Sequence, residues 1–222
     1  MSTPEVRPDA PGLDAWRRTY LLGSLDEVDV DPDPFVQVRR WFDDAVAARL
    51  TEPNAMVLAT ASADAVPSAR TVLLKGLDER GFVLFSHHGS RKGRDMAANP
   101  RASLVFPWFA MDRQVVVVGD VELVDRAEVE AYFASRPHGS RLGAWVSRQS
   151  TVIADRSVLD ERLAEVSARW PEGTDVPVPA FWGGFRVVPS TVELWQGRES
   201  RLHDRLRYRR AGGGWVLERL SP

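Results

Sequence analysis

The chain contains no cysteine. Disulfides, thiolate zinc sites, iron–sulfur clusters and thiol nucleophiles are excluded together. Lysine is almost as scarce: of 29 Lys and Arg residues, only Lys75 and Lys92 are lysines. No apolar run approaches the length of a membrane-spanning helix, and the opening Met1–Arg7 stretch has no signal-peptide core. A formal net charge of −2 argues against a general binder of nucleic acid or of anionic membrane. The nucleophile elbow, the P-loop, the dinucleotide-binding glycine motif and the helical zinc motif are all missing. The histidines, His87, His88, His138 and His203, lack metal-ligand spacing. What remains is the expectation of a soluble, cytoplasmic protein whose 222 residues make one domain with an arm.

Residues 1–33 read as that arm. The first fifteen are rich in Pro, Asp and Gly and are expected to be mobile. Trp16–Tyr20 mixes aromatics with cations, and Asp26–Asp33 carries five acids and no cation, as an acidic solvated linker would. Residues 34–222 read as one α+β domain. Asp33-Pro34 offers an N-cap and a first-turn proline, and Phe35, Val38, Trp41, Phe42, Val46 and Leu50 recur at helical spacing, predicting a helix over 34–50. Short apolar runs then follow at 55–61, 66–75, 81–87, 102–107 and 112–124, and again near 183–195, 204–210 and 214–220. Their spacing is that of a mostly antiparallel, Greek-key-like barrel. Helices are predicted from Ser90 to Asn99-Pro100, from a capping-box-like Asp125–Glu128 to about Ser135, and over about 156–170 with Leu159, Leu163, Val166 and Trp170 on one face. Pro137 interrupts before Ser140.

Both lysines fall within 70–92. Two apolar strands flank a tight Asp78–Gly81 turn, and Gly89-Ser90-Arg91-Lys92 steps into a helix. A helix start presents free backbone N–H groups and a positive dipole end, so Arg70, Lys75, Arg91 and Lys92 around it form a corner suited to an anion such as phosphate. Any one such cation at a strand end is ordinarily just solvated. A compact ammonium among so many guanidiniums fits a cramped phosphate site. Further on, Arg136, Ser140, Gln149, Ser150, Arg201 and Arg205 bring the supply of phosphate-type ligands to about two phosphates' worth. Two anion sites without an obvious nucleophile point to a cofactor acting on a phosphorylated substrate.

The segments Arg70–Lys75, Gly89–Lys92, Phe106–Trp108, Arg113-Gln114, Tyr132–Pro137, Gly143–Ser147 with Gln149-Ser150, Phe181–Arg186, Trp195–Gly197 and Arg201–Arg205 resemble, in one order, those of the pyridoxamine 5′-phosphate oxidase family. The resemblance runs from about residue 35 to the C-terminus. It implies an FMN-binding split β-barrel working as a homodimer with flavin at the subunit interface. It also implies oxidation of pyridoxamine or pyridoxine 5′-phosphate to pyridoxal 5′-phosphate by hydride transfer from C4′ to flavin N5, with dioxygen reoxidising the flavin to give hydrogen peroxide. Carried over by position, Arg70, Thr71, Val72, Leu73, Leu74, Lys75, Arg91, Lys92, Gln149 and Ser150 would hold flavin, with Gln114, Trp195 and Arg205 around it. Phe85 and Ser86 stand where the family often has Tyr-Thr, so backbone contact is expected there. Lys75, Tyr132, Arg136 and Ser140 would hold the substrate phosphate. Arg201 and His203 would cover the pyridine ring as the catalytic pair, and Arg17 and Tyr20 would form a lid.

The residues leave some matters open. Strict alternation places Arg70 and Lys75 on opposite faces of one strand, unless Lys75 lies past the strand end or a bulge intervenes. If Arg201–Arg205 is extended, Arg201, His203 and Arg205 share one face. Two other functions stand beside the main one: a split-barrel enzyme using FMN or deazaflavin on another substrate, and a non-catalytic carrier of pyridoxal phosphate or flavin.

Overall fold

The computed structural model of the chain describes residues 19–222; Arg17, with the rest of 1–18, lies outside the described residues. The 26–33 run is not a free solvated linker. Asp26 and Glu27 meet Arg219 at 3.5 and 2.6 Å, and Asp31 meets Arg40 at 2.7 Å. Leu25 is buried in the main core.

Asp33 caps α1 (Pro34–Ala47), its carboxylate accepting the Phe35 N–H at 2.8 Å. The helix stops short of residue 50 because Arg49 turns left-handed (φ 55°). Arg49 N–H then reaches the Val46 carbonyl and Leu50 N–H the Ala45 carbonyl, a Schellman closure. Leu50 still packs on the core.

The strands follow: β1 (Ala55–Ala61), β2 (Pro67–Leu73), β3 (Gly76–Asp78) and β4 (Gly81–His87). The strand expected over 66–75 therefore ends at Leu73. After α2 (Arg91–Ala98), β5 (Arg101–Trp108) leads to β6 (Arg113–Leu123). Three helices come next: α3 (Arg126–Ala134), α4 (His138–Val146) and α5 (Ser157–Arg169). The chain closes with β7 (Trp182–Gln196), β8 (Asp204–Ala211) and β9 (Gly214–Arg219). All pairings described are antiparallel, in the order β2-β1-β5-β6-β7-β4-β3, with β8 on β7 and β9 on β8. The result is the α+β, curled antiparallel sheet with peripheral helices that the sequence predicts.

Strand β7 organises the sheet. It holds β6 along one edge; along the other, its first half pairs with β4 and its second half with β8. The register of β6 on β7 shifts at Val118/Gly119. Only glycine is accommodated there, since a Cβ on Gly119 would stand 2.1 Å from the Val188 carbonyl oxygen. Strand β4 is covered on both faces: Phe82 and Leu84 enter the main core, while Val83 and Phe85 face a second cluster with Val129, Phe133, Leu142 and Trp182. That second cluster sets α3 and α4 over β4.

Three local expectations are corrected. Asp125 makes no capping bond, and Glu128 is instead held by Arg186 at 3.0 and 3.1 Å. The segment after Pro137, for which no helix is predicted, forms one, α4. The apolar face of α5 is only partly covered: Val166 and Trp170 pack on the second cluster while Leu163 stays exposed.

Candidate active site

A cavity of about 330 Å³ opens where β2, β4, α2 and α3 converge. Arg70, Thr71, Val72 and Leu73 line one side, with Lys75 just beyond the end of β2. This resolves the alternation problem: Lys75 is past the strand end and shares the cavity with Arg70. Phe85, Ser86, Lys92, Tyr132, Arg136, Gln149 and Trp182 complete the lining. Within the 70–75 run, Leu74 alone does not line the cavity. Its side chain is buried in the core and both its backbone groups bond to Asn54.

The N-terminus of α2 is built as a cap. Ser90 is fully buried and accepts the Gly93 N–H at 3.2 Å. Lys92 follows, its Nζ donating to Gln149 Oε1 at 3.0 Å and to Ser86 Oγ at 3.2 Å. Burial, then the nearby Arg70 charge, lowers the Lys92 pKa. Arg91 is exposed, and its backbone N–H donates to Ser150 Oγ at 3.1 Å.

Arg70 is fixed from behind. Its Nη1 donates to Thr60 Oγ1 at 2.8 Å and to the Leu58 carbonyl at 3.2 Å, and its Nη2 donates to Ser68 Oγ. Both hydroxyls donate in turn to Asp95 Oδ2, at 2.7 and 2.8 Å. Burial lowers the Arg70 pKa, Asp95 opposes that, and Arg91 adds to it. A cation held this way gains from an anion in the cavity.

In the second group of cations, Lys75 with Arg136, Arg136 rests on aromatic rings. Phe85 stacks on Tyr132 with centroids 4.0 Å apart and on Trp182 at 5.5 Å. The Arg136 guanidinium lies 4.8 Å from the Trp182 ring centroid. Its Nη1 is buried with no hydrogen-bond partner among the described residues, and burial lowers its pKa. Such a donor calls for an acceptor from outside the chain. Ser140 is exposed on the first turn of α4 and does not line this cavity.

The remaining expected ligands gather elsewhere. Tyr20, Gln114 and Trp195 line a separate cavity of about 430 Å³. Tyr20 meets Trp195 and His203 edge-on at 5.6 and 5.4 Å, and Trp195 lies 4.7 Å from His203. His203 Nδ1 accepts the Arg198 N–H at 3.0 Å, so its Nε2 carries the proton when the ring is neutral. The stretch 201–205 is not one extended strand. Ser200 and Arg201 are left-handed (φ 55° and 61°) in a 3₁₀ turn, and β8 begins only at Asp204. Arg201 is therefore exposed on a turn and out of register with Arg205. The Arg205 guanidinium is engaged by Glu193 at 2.8 and 3.1 Å.

The two groups sit at opposite ends of β7. Trp195 lies thirteen positions after Trp182, roughly 40 Å along the strand at about 3.3 Å per residue. Sequence reasoning missed Trp182 as a lining residue and Thr60, Ser68 and Asp95 as supports of Arg70. The Phe181–Arg186 motif could have flagged Trp182; isolated Thr, Ser and Asp carry no such signal.

Comparison with known proteins bears on the family and the fold. A family model described as pyridoxamine 5′-phosphate oxidase covers residues 42–170, and one described as the pyridoxine 5′-phosphate oxidase C-terminal dimerisation region covers residues 182–222. A pyridoxine/pyridoxamine 5′-phosphate oxidase of Frankia alni is 58% identical over 220 residues, 97% of this chain and 91% of the relative. That of Cupriavidus pinatubonensis is 59% identical over 207 residues, 93% of this chain and 97% of the relative. Among solved structures, PhzG of Burkholderia lata, in complex with tetrahydrophenazine-1-carboxylic acid, is 32% identical. It superposes with a TM-score of 0.83 over 90% of this chain and all of that one. A pyridoxamine 5′-phosphate oxidase-related, FMN-binding protein of Nostoc punctiforme shares the fold at a TM-score of 0.69 and 16% identity, over 86% of this chain and 98% of that one. The chain is thus an oxidoreductase with a dimerisation region and a split-barrel fold, and it belongs to the pyridoxamine 5′-phosphate oxidase family.

Proposed function

We propose that the protein binds FMN and oxidises pyridoxamine 5′-phosphate and pyridoxine 5′-phosphate to pyridoxal 5′-phosphate, with dioxygen as the final acceptor and hydrogen peroxide as the second product. One observation carries this reading: a single cavity holds two groups of cations, Arg70 with Lys92 and Lys75 with Arg136, the latter with an unpartnered buried donor. One group suits a flavin phosphate and the other a substrate phosphate. The names of the relatives at 58–59% identity support the same substrates. PhzG takes a carboxylic acid, which gives no reason for a second phosphate group.

On this reading Arg70, Arg91, Lys92, Gln149 and Ser150 hold the flavin, together with Ser86 and the backbone of Thr71–Leu73. When bound, FMN supplies the two-electron acceptor that takes hydride from the substrate C4′ and passes electrons to dioxygen. Lys75, Tyr132 and Arg136 hold the substrate phosphate, and Phe85 and Trp182 keep Tyr132 and Arg136 in place. Arg201 and His203 orient the pyridine ring, with the His203 Nε2 proton available to it, and Tyr20 covers them. Gln114, Trp195 and Arg205 approach the flavin from a second copy of the chain. The separation along β7 supports this: one copy does not bring both ends of the strand to one ligand, whereas a twofold dimer does.

The test is an anaerobic mixture of the FMN-loaded protein with pyridoxamine 5′-phosphate. The flavin colour should bleach, then return with hydrogen peroxide on admission of air. Unphosphorylated pyridoxine should bleach it far more slowly. A colourless monomer that rejects FMN, or a flavin that neither phosphorylated vitamer reduces, refutes the proposal.

A further inference from the structure

Asp95 belongs to none of the ligand sets above, yet it is buried directly behind one of them. It lies on α2, 6% exposed, four residues after Arg91. Its Oδ2 accepts the Thr60 hydroxyl at 2.7 Å and the Ser68 hydroxyl at 2.8 Å. Each hydroxyl has a single proton, and a carboxylate has none to offer in return. Both protons therefore point at Asp95, and the lone pairs of both oxygens are left for Arg70. Arg70 uses them: Nη1 donates to Thr60 Oγ1 at 2.8 Å, and Nη2 donates to Ser68 Oγ. The Asp95 carboxylate itself is 3.9 Å from Arg70 Nη2. Thr60 and Ser68 face each other across β1 and β2, with their hydroxyl oxygens 3.2 Å apart. Without Asp95 as the common acceptor, one hydroxyl would donate to the other, and one of Arg70's two hydroxyl acceptors would change its orientation.

We infer that Asp95 is a positioning residue for the anion site. Through the Thr60 and Ser68 hydroxyls it sets the polarity of a two-armed relay that locks the Arg70 guanidinium, leaving the Nε–H and one Nη2–H for a phosphate ester in the cavity. The inference rests on the FMN reading above and deepens it, by adding a buried anion that prepares the chain's own cation for the ligand. Because Asp95 sits on the same helix whose N-terminus carries Arg91 and Lys92, it also ties the register of α2 to the β1–β2 hairpin. Preorganisation of this kind lowers the ordering cost that binding must meet.

The experiment titrates FMN into the apo forms of the parent, D95N, R70Q and the D95N/R70Q double variant, following flavin fluorescence quenching. D95N keeps the shape and one acceptor but loses the charge that makes both hydroxyl bonds strong, so FMN affinity should fall about tenfold. At saturating FMN, the KM for pyridoxamine 5′-phosphate should stay within twofold of the parent, because Lys75 and Arg136 are untouched. In the R70Q background D95N should change FMN affinity by less than twofold, since the relay then has no guanidinium to orient. Parental FMN affinity in D95N overturns the inference. So does an effect that persists undiminished in R70Q, or one that raises KM as much as it weakens FMN. A parent protein that binds no FMN overturns the functional reading and this inference together; a parent that binds FMN with D95N unaffected overturns the relay alone.

Discussion

Replacing Arg136 by alanine should separate function from stability. The guanidinium is stacked 4.8 Å from the Trp182 ring centroid and 5.4 Å from that of Phe133, a contact worth about 0.5–2 kcal/mol depending on desolvation. Against that, Nη1 is buried without a partner among the described residues, which costs about 1–3 kcal/mol. The two effects offset, so the apo variant should lie within about 1 kcal/mol of the parent, or about 2–4 °C in Tm for a chain of this size. Function should respond differently. Losing one charge-assisted hydrogen bond to the substrate phosphate costs about 1.5–3 kcal/mol, which is about 10- to 150-fold in KM. FMN affinity should remain near parental. Three assays decide the matter: thermal unfolding of the apo protein, FMN titration, and steady-state kinetics with pyridoxine 5′-phosphate and with pyridoxine. The variant and the parent should differ little on pyridoxine, which has no phosphate to hold. A variant that loses more than about 3 kcal/mol of stability while its KM for the phosphorylated substrate stays parental would show that Arg136 is structural.

Asp204 gathers three segments: its Oδ2 accepts from Leu25 N–H at 3.0 Å and Arg198 Nη1 at 2.9 Å, and its Oδ1 from Arg219 Nη1 at 3.0 Å. D204A should therefore loosen the Arg201–His203 turn, lowering kcat/KM about ten- to a hundredfold and speeding amide exchange at Leu25, with FMN binding kept; unchanged exchange would refute the link. Acid should weaken the fold through the same carboxylates. For Asp95 and Asp204 burial works to raise the pKa, but hydrogen bonds and neighbouring arginines outweigh it and the net shift is downward. A folded-state pKa below the unfolded one gives stability that is complete above the ordinary carboxylate pKa of about 4 and is lost as pH falls through the folded value. The urea midpoint should thus hold between neutral pH and about 5 and drop below about 4, and D204N should flatten that drop; an identical acid limb in D204N would refute the assignment.

The sequence carried the fold further than it carried the site. Periodicity located α1, the Ser90 cap of α2 and the long strands, because those elements depend on local signals: caps, prolines and alternating burial. It ran β2 on to residue 75 and did not identify β3, since nothing local marks Leu74-Lys75 as a connection until β3 finds its partner in β4. Arg70, Lys92, Tyr132 and Arg136 were legible through motif resemblance, and the cavity brings them together. The turn at Ser200-Arg201 was not legible: left-handed backbone at two non-glycine residues leaves no trace in residue type, and alternation was applied to a stretch that is mostly not strand. Asp95 hid for the opposite reason. An acid in a short helix beside arginines looks like a solvated surface charge, and only the approach of Thr60 and Ser68 from β1 and β2 makes it a buried acceptor.

The length of β7 has a consequence at the level of alleles. If its two ends serve different sites in a twofold dimer, each site is assembled from the Trp182 end of one copy and the Trp195 end of the other. Two chains damaged at opposite ends then compensate for each other. Mixed at random in equal amounts, they form mixed pairs about half the time. In every mixed pair one site collects both lesions and the other is built wholly from sound parts, so about a quarter of all sites survive. Chains damaged at the same end recover none. Whether a second mutation is harmful or neutral would thus depend on which end of a single strand it strikes.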